Sequence, residues 1–159
     1  MIEGQLVRLF ILTLCVVGAF AAQPVSAQDE GPETRVKLQD LPPAVQEAVK
    51  MHSKGATVRG FAKEVKDGRT LYEAEMTVKG RTRDLTFDAQ GRIVSDEQQT
   101  TLSEIPAAAR AAIQKAAAGG KLTLVEKVIE GSSTSYEGHI TKAGIETEIK
   151  VDANGKRVE

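Results

Sequence analysis

The chain of 159 residues contains 21 Lys and Arg against 22 Asp and Glu, and its formal net charge is −1. This balance excludes the strongly basic composition that is typical of nucleic-acid-binding proteins. The single cysteine, Cys15, lies in an apolar segment near the amino terminus, so the rest of the chain can form neither a disulfide nor a thiol nucleophile.

Segment 1–27 has the composition of a secretory signal peptide. Arg8 is its only cation, residues 9–22 are almost continuously apolar, and small residues precede Gln28. We expect cleavage after Ala27, export to the periplasm or the medium, and no membrane association afterwards. An uncleaved membrane anchor is the alternative, but a membrane span needs about 20 apolar residues.

A flexible tail and then a short amphipathic helix are predicted next. Segment 28–35 is polar and lacks apolar periodicity, which is typical of a flexible tail. Leu41, Val45 and Val49 follow at helical spacing, and Gly55 ends the pattern. The same stripe recurs later in the chain as Ile105, Ala109 and Ile113.

A change of period from 3.6 to 2 after each helix indicates antiparallel strands. Apolar and polar residues alternate over 72–79, so one face of this strand is predicted to be buried and the other to be wet. Leu85 and Phe87 continue the buried parity in the next strand. The alternation slips at Gly60 and again at 122–125, which indicates a β-bulge at both places.

The chain repeats itself with an offset of 64 residues. The Tyr-Glu pair at 72–73 aligns with that at 136–137, and the turn at 88–91 aligns with 152–155. The aligned positions are apolar residues of core type and turn glycines. A duplicated module is therefore predicted.

We place the two modules at 36–99 and 100–159, joined by the polar connector 95–100. The predicted fold class is α+β with two tandem repeats. Each repeat is a short helix packed on one face of a three- to four-stranded antiparallel β-meander.

Several elements of this pattern occur together in a known family. A Leu-x-x-Leu-Pro opening at 38–42 has an equivalent at 102–106, and a Tyr-Glu strand and a Gly turn follow it. Leu-Thr-Phe-Asp-Ala-Gln-Gly at 85–91 closes the pattern, and 151–155 repeats its last element. Over 36–159 the chain resembles the PepSY-like family that is described as β-lactamase-inhibitor-like.

The resemblance implies an exported bacterial protein of tandem helix-plus-sheet modules without enzymatic activity. PepSY modules also occur in protease propeptides, where a role in holding a peptidase inactive has been proposed. A protein-binding function is thus the favoured inference, for example an inhibitor or modulator of an envelope or extracellular protein such as a peptidase. The family provides no fixed ligand motif to assign to residues of this chain.

Neither histidine of the chain has a second metal ligand at a recognised spacing. His52 continues the apolar stripe of the first helix. His139 lies on the predicted wet face and could join Glu73, Glu75 or Glu137 if the equivalent strands approach each other. We predict no metal site and no cofactor.

Catalysis is not predicted either. The serines at 132, 133 and 135 lie in a small polar loop with no histidine or lysine at a recognisable offset. The carboxylate pairs at 73 and 75 and at 146 and 148 could suggest acid–base chemistry, but a solvated sheet face needs such residues anyway. No apolar surrounding is evident that would raise their pKa. We predict that the protein is not an enzyme.

The wet face of the sheet is predicted to bind a protein partner. Because this face is charged, we expect modest affinity that falls with salt. A periplasmic sensor, or a protein that binds a small ligand or a cation on the same acidic face, is the alternative. The residues predicted to contact the partner are Glu73, Glu75, Glu137, His139, Glu146 and Glu148.

Overall fold

The computed structural model describes residues 31–158, and of residues 31 and 32 it describes the backbone alone. The predicted signal peptide and its cleavage site lie outside these residues. Eight strands and two α-helices follow each other in chain order. They are β1 (Gly31–Val36), a 3-10 helix (Leu38–Asp40), α1 (Pro43–His52), β2 (Thr57–Lys66), β3 (Arg69–Val78), β4 (Arg81–Phe87), β5 (Ile93–Gln99), α2 (Ala107–Ala116), β6 (Lys121–Glu130), β7 (Ser133–Lys142) and β8 (Ile145–Val151).

All eight strands form one antiparallel sheet, in which each strand pairs with its neighbours in chain order. The two halves meet where β5 pairs with β6, with Asp96 opposite Ile129 and Gln99 opposite Glu126. This pairing satisfies backbone N–H and C=O groups that two separate meanders would leave open at their edges. The predicted fold class of two tandem helix-plus-meander repeats is therefore wrong, because the molecule is a single, mostly β sheet with two helices.

Two segments that we predicted to be irregular are strands. Residues 31–35, predicted as a flexible tail, belong to β1, in which Arg35 lies opposite Ala62 of β2. The predicted connector 95–100 is almost entirely β5. Neither segment shows alternation of apolar and polar residues, because β1 is an exposed edge strand and β5 is polar on both faces. Backbone pairing with a neighbouring strand determines their conformation.

The two helices pack on the same face of the sheet, and each forms its own core. Leu85 and Phe87 of β4 are fully buried under α1, which confirms the predicted parity of that strand. Ile113 of α2 is fully buried in the second core. The first core contains Leu41, Val45, Ala48, Val49, Ala74, Met76, Leu85 and Phe87, and the second contains Ile105, Ala109, Ile113, Val125, Ile140, Ile149 and Val151.

Both predicted β-bulges are confirmed. The register of β2 against β3 shifts between Val58 and Gly60, and that of β6 against β7 shifts between Leu122 and Leu124. An extra residue in one strand reverses its alternation beyond the bulge. In β6 this places Val125 against α2 and turns Glu126 to the opposite face.

Two glycine turns lie against the beginnings of the helices. Gly91 has φ of 75°, and a Cβ at this position would lie 2.5 Å from the carbonyl oxygen of Ala44 in α1. Gly155 has φ of 77°, and its Cβ would lie 2.6 Å from the carbonyl oxygen of Ala108 in α2. These contacts hold each helix over its own half of the sheet and leave the opposite face without a helix.

Candidate functional site

The face of the sheet opposite the helices carries a continuous set of charged side chains. In β3, β4, β7 and β8 the helix-facing residues alternate with charged ones, so the charged set follows from strand parity. We call this surface the acidic face. Its carboxylates are Glu73, Glu75, Asp84, Glu97, Glu126, Glu137 and Glu148. The basic groups that contact them are Arg35, Arg59, His139 and Lys150, and Lys66 and Arg157 line a cavity beside Glu137 and Glu148.

In the first half of the face, two of the carboxylates have cationic partners. Arg35 of β1 lies 2.6 Å from an oxygen of Glu75, and this hydrogen bond lowers the pKa of the Glu75 carboxyl. Arg59 of β2 lies 2.9 Å from an oxygen of Asp84. Burial nevertheless raises the pKa of the Asp84 carboxyl. The first half is therefore only partly neutralised.

Glu73 has no such partner. In the described part of the chain its carboxyl makes no ion pair or hydrogen bond, and it is half-buried. Burial, followed by the nearby charge of Asp84, raises the pKa of Glu73 from 4.5 to about 8. The expectation that nothing would raise the pKa of this carboxyl is therefore wrong.

Glu97 of β5 lies at the centre of the face, beside the junction of the two halves. It is opposite Asp84 in β4 and opposite Val128 in β6. Burial and the charges of Glu137 and Glu126 raise the pKa of Glu97 to about 7. A hydrogen bond of 3.3 Å from the Ser95 hydroxyl opposes this increase but does not cancel it.

The second half of the face is organised around His139 of β7. Its Nε2 lies 3.0 Å from Oε2 of Glu126, and its Nδ1 lies 3.3 Å from Oε1 of Glu148. The hydrogen bond to Glu126 raises the pKa of the His139 imidazole despite partial burial. Lys150 of β8 lies 3.2 Å from Oε1 of Glu137. Glu126 is buried, with 3% of its surface exposed.

The structure divides the predicted partner-binding residues into two groups. Glu73 and Glu75 lie in β3, while Glu137 and His139 lie in β7, and three strands separate β3 from β7. Glu148 contacts His139 from β8. The sixth predicted residue, Glu146, is exposed near the beginning of β8 and makes no ion pair with the other five.

Three carboxylates of this face, Asp84, Glu97 and Glu126, are not among the six residues predicted to contact a partner. Glu97 lies in β5, which we interpreted as a connector. Glu126 follows the bulge in β6, so the face of the sheet on which its side chain lies depends on the position of the extra residue. The slip of parity at 122–125 was visible in the sequence and could have placed Glu126 on the wet face.

The fold is known from other proteins. A crystal structure of a proposed periplasmic protein from Bacteroides eggerthii DSM 20697 is 22% identical, with a TM-score of 0.58 over 75% of this chain and 86% of that one. A DUF2874 family protein from Bacteroides uniformis ATCC 8492 is 22% identical, with a TM-score of 0.56 over 74% and 86% of the chains. A BLIP-like protein from Bacteroides fragilis NCTC 9343 is 19% identical, with a TM-score of 0.53 over 75% and 84%.

No protein-family model matches the sequence, and no curated protein is similar to it. The similarity to the three crystal structures therefore shows a shared fold and supports the resemblance to β-lactamase-inhibitor-like proteins at that level. In the described residues no helix is long and apolar enough to cross a membrane.

Proposed function

We propose that the protein is an exported, non-enzymatic binding module that holds a basic segment of a partner protein on its acidic face. The observation that carries this proposal is the excess of half-buried carboxyl groups over cations, above all at Glu73 and Glu97. The BLIP-like and periplasmic descriptions of the structural neighbours are in accord with it. An envelope or extracellular protein such as a peptidase is the partner class that we favour.

The charge of the face defines the chemistry of the partner. A carboxyl group that remains protonated near neutral pH does so because burial and like charges disfavour its ionised form. A Lys or Arg side chain placed beside it would reverse that preference. The face therefore favours a segment that brings positive charge, and it disfavours an acidic one.

The location of the face fits this role. Both helices pack on the opposite side of the sheet, so the side chains of the acidic face, except the buried Glu126, meet solvent or a partner. Strands hold these side chains at fixed spacings, which reduces the entropy lost on binding. Because charged groups dominate the surface, binding should weaken as the screening length falls from about 10 Å at 0.1 M salt to about 3 Å at 1 M.

The proposal is tested with fluorescent oligo-lysine peptides, with oligo-glutamate peptides of the same length for comparison. We expect binding of the basic peptides only. Glu73→Lys should weaken it at least tenfold, whereas Glu47→Lys, which makes the same charge change at an exposed position of α1, should leave it unchanged. Equal effects of the two variants would contradict the proposal, because attraction would then depend on net charge alone.

Titration calorimetry at pH 7 provides a second measurement. Cationic groups beside Glu73 and Glu97 would lower their pKa values from about 8 and about 7, so peptide binding should release protons to the buffer. The heat measured in phosphate and in Tris should differ accordingly, and Glu73→Gln should reduce that difference. Identical heats in both buffers would show that these two carboxyls do not meet the peptide.

Natural partners would then be sought by affinity capture from the envelope fraction of the source organism. We expect a captured protein that wild type retains, that Glu73→Lys loses and that high salt releases. A protein that both retain at every salt concentration would show that the contact lies elsewhere.

A further inference from the structure

We propose that Glu126, Glu137 and His139 form a binding site for a divalent first-row transition-metal ion such as Zn²⁺. One ligand atom from each of these residues lies within 4.8 Å of the other two. Tetrahedral coordination at about 2.0–2.2 Å brings nitrogen and oxygen ligands within about 3.5 Å of each other. Small rotations of the side chains would therefore bring all three onto one ion.

The sheet itself positions the three ligands. Glu126 of β6 lies directly opposite Glu137 of β7, and His139 follows Glu137 by two residues, so all three point to one face. Ligands on paired strands are held more rigidly than ligands on loops, which favours metal affinity.

The surroundings of His139 resemble the outer shell of known metal sites. A histidine that binds a metal through one ring nitrogen usually donates the other N–H to a carboxylate, which fixes the orientation of the ring. Here Nε2 faces Glu126, while Nδ1 lies 3.3 Å from Oε1 of Glu148 on β8. Glu148 is therefore a positioning residue for the imidazole.

Glu126 is buried, and the one basic side chain that it contacts in the described part of the chain is His139, at 3.0 Å. The side chain of Glu126 is 4% exposed, and in the described part of the chain it has no partner outside the cluster. A buried carboxylate is costly unless a cation or several hydrogen bonds compensate it. The neighbouring Lys150 contacts Glu137 and also Glu130 at 3.0 Å, so it would keep a partner if Glu137 turned to a metal.

The donor set selects the class of metal. An imidazole nitrogen beside carboxylates suits Zn²⁺, Co²⁺ or Ni²⁺, whereas Ca²⁺ and Mg²⁺ prefer oxygen ligands alone. Three protein ligands leave a fourth position for water or for a side chain of another molecule. The site requires neither Glu73 nor Glu97, so its test does not depend on the proposed binding of a basic segment.

The experiment is calorimetric titration of the full mature protein, first freed of metal with a chelator, with Zn²⁺ and then with Ca²⁺. We expect one Zn²⁺ per chain, an increase in melting temperature with Zn²⁺, and no heat with Ca²⁺. His139→Gln should weaken Zn²⁺ binding at least 100-fold. Glu148→Gln should weaken it about 10- to 100-fold, as changes in the outer shell of metal sites do.

His52→Gln is the matched control, because His52 is the only other histidine of the chain and lies in α1 on the far side of the sheet. It should bind Zn²⁺ like wild type, and so should Glu73→Gln. Equal losses in the two histidine variants, absence of stoichiometric binding, or equal affinity for Ca²⁺ would overturn the proposal.

Circular dichroism and the absorption of bound Co²⁺ distinguish the loss of a metal ligand from misfolding of the variant. Circular dichroism of metal-free His139→Gln should match that of metal-free wild type. Glu137→Gln should show the same loss of Zn²⁺ affinity, and the visible absorption of bound Co²⁺ should disappear in both variants. Retention of the Co²⁺ spectrum in either one would exclude that residue as a ligand and contradict the site.

Discussion

The carboxyl groups of the acidic face differ widely in pKa, although all of them lie on one surface of the sheet. Glu75 keeps a low pKa because Arg35 donates to it, while Glu73, two residues away on the same strand, has its pKa raised by burial. The difference depends on whether an arginine from another strand, here Arg35 of β1 two strands away, reaches the carboxyl. Neighbours of this kind are distant in sequence, so composition and alternation alone do not distinguish the two glutamates.

The raised pKa of Glu73 predicts how stability depends on pH. The folded state binds a proton at Glu73 between pH 4.5 and about 8, where the unfolded state has lost it. The contribution of this bound proton to the unfolding free energy is therefore complete below pH 4.5, declines as the pH rises, and is lost above about pH 8. Glu73→Gln should show a smaller decline in unfolding free energy across this interval.

Urea denaturation of wild type and Glu73→Gln at several pH values measures this effect. Glu47→Gln, on the exposed surface of α1, is the control and should follow wild type. Parallel curves for wild type and Glu73→Gln would show that the carboxyl is already ionised near neutral pH.

The parity of β4 makes a second prediction at the scale of residues. Phe87 is fully buried under α1, so Phe87→Ala should reduce the unfolding free energy by about 3–5 kcal/mol. Thr86 lies on the opposite face, and Thr86→Ala should cost less than about 1 kcal/mol. Denaturant midpoints would show the difference, and similar losses at both positions would contradict the assignment of the two faces.

At the scale of elements, the strands that the sequence revealed are those in which burial alternates. The parity of β3 and β4 and both bulges could be predicted, because a buried face imposes a period of two and an inserted residue interrupts it. β1 and β5 could not be predicted in this way. Among the described side chains of β1 only Val36 packs against a core, and residues 95–99 of β5 are all polar, so only backbone hydrogen bonds mark the two segments as strands.

The contact between turns and helices predicts the effect of a methyl group. Gly91→Ala should destabilise the protein by more than about 1 kcal/mol, because the positive φ strains the backbone and the new Cβ would collide with Ala44. Gly131→Ala provides the control. That glycine also has a positive φ, of 59°, but its Cβ would meet nothing within 4 Å.

Thermal unfolding would compare these two variants. The expected order is a larger loss for Gly91→Ala than for Gly131→Ala, and a loss like that of Gly91→Ala for the equivalent Gly155→Ala. If the loss at Gly131 equals that at Gly91, backbone strain accounts for both and the turn does not support the helix.

At the scale of the whole molecule, one sheet joins two separate hydrophobic cores. The offset of 64 residues predicted two similar halves, but it could not show whether their edges pair, because pairing of β5 with β6 depends on contacts between strands about 30 residues apart. The same pairing brings Glu97 near Glu126 and Glu137. The centre of the acidic face therefore exists only in the joined sheet.

The joined sheet predicts that the two halves unfold together. Loss of either half would expose the edge of β5 or β6, with unpaired N–H and C=O groups, so a half-folded molecule is disfavoured. The chain contains two tyrosines and no tryptophan, and Tyr72 packs against the first core while Tyr136 packs against the second. Tyr72→Phe and Tyr136→Phe thus leave one fluorescent reporter in each half.

Both reporters should show one coincident transition in urea. Val45→Ala in the first core and Ile113→Ala in the second should each lower the urea midpoint seen by both reporters, because the two halves unfold in one cooperative transition. The halves would be independent folding units if Val45→Ala lowered only the urea midpoint reported by Tyr72. Ile113→Ala would then lower only the midpoint reported by Tyr136. The β5–β6 pairing would then be too weak to couple them, and the acidic face could open at its centre.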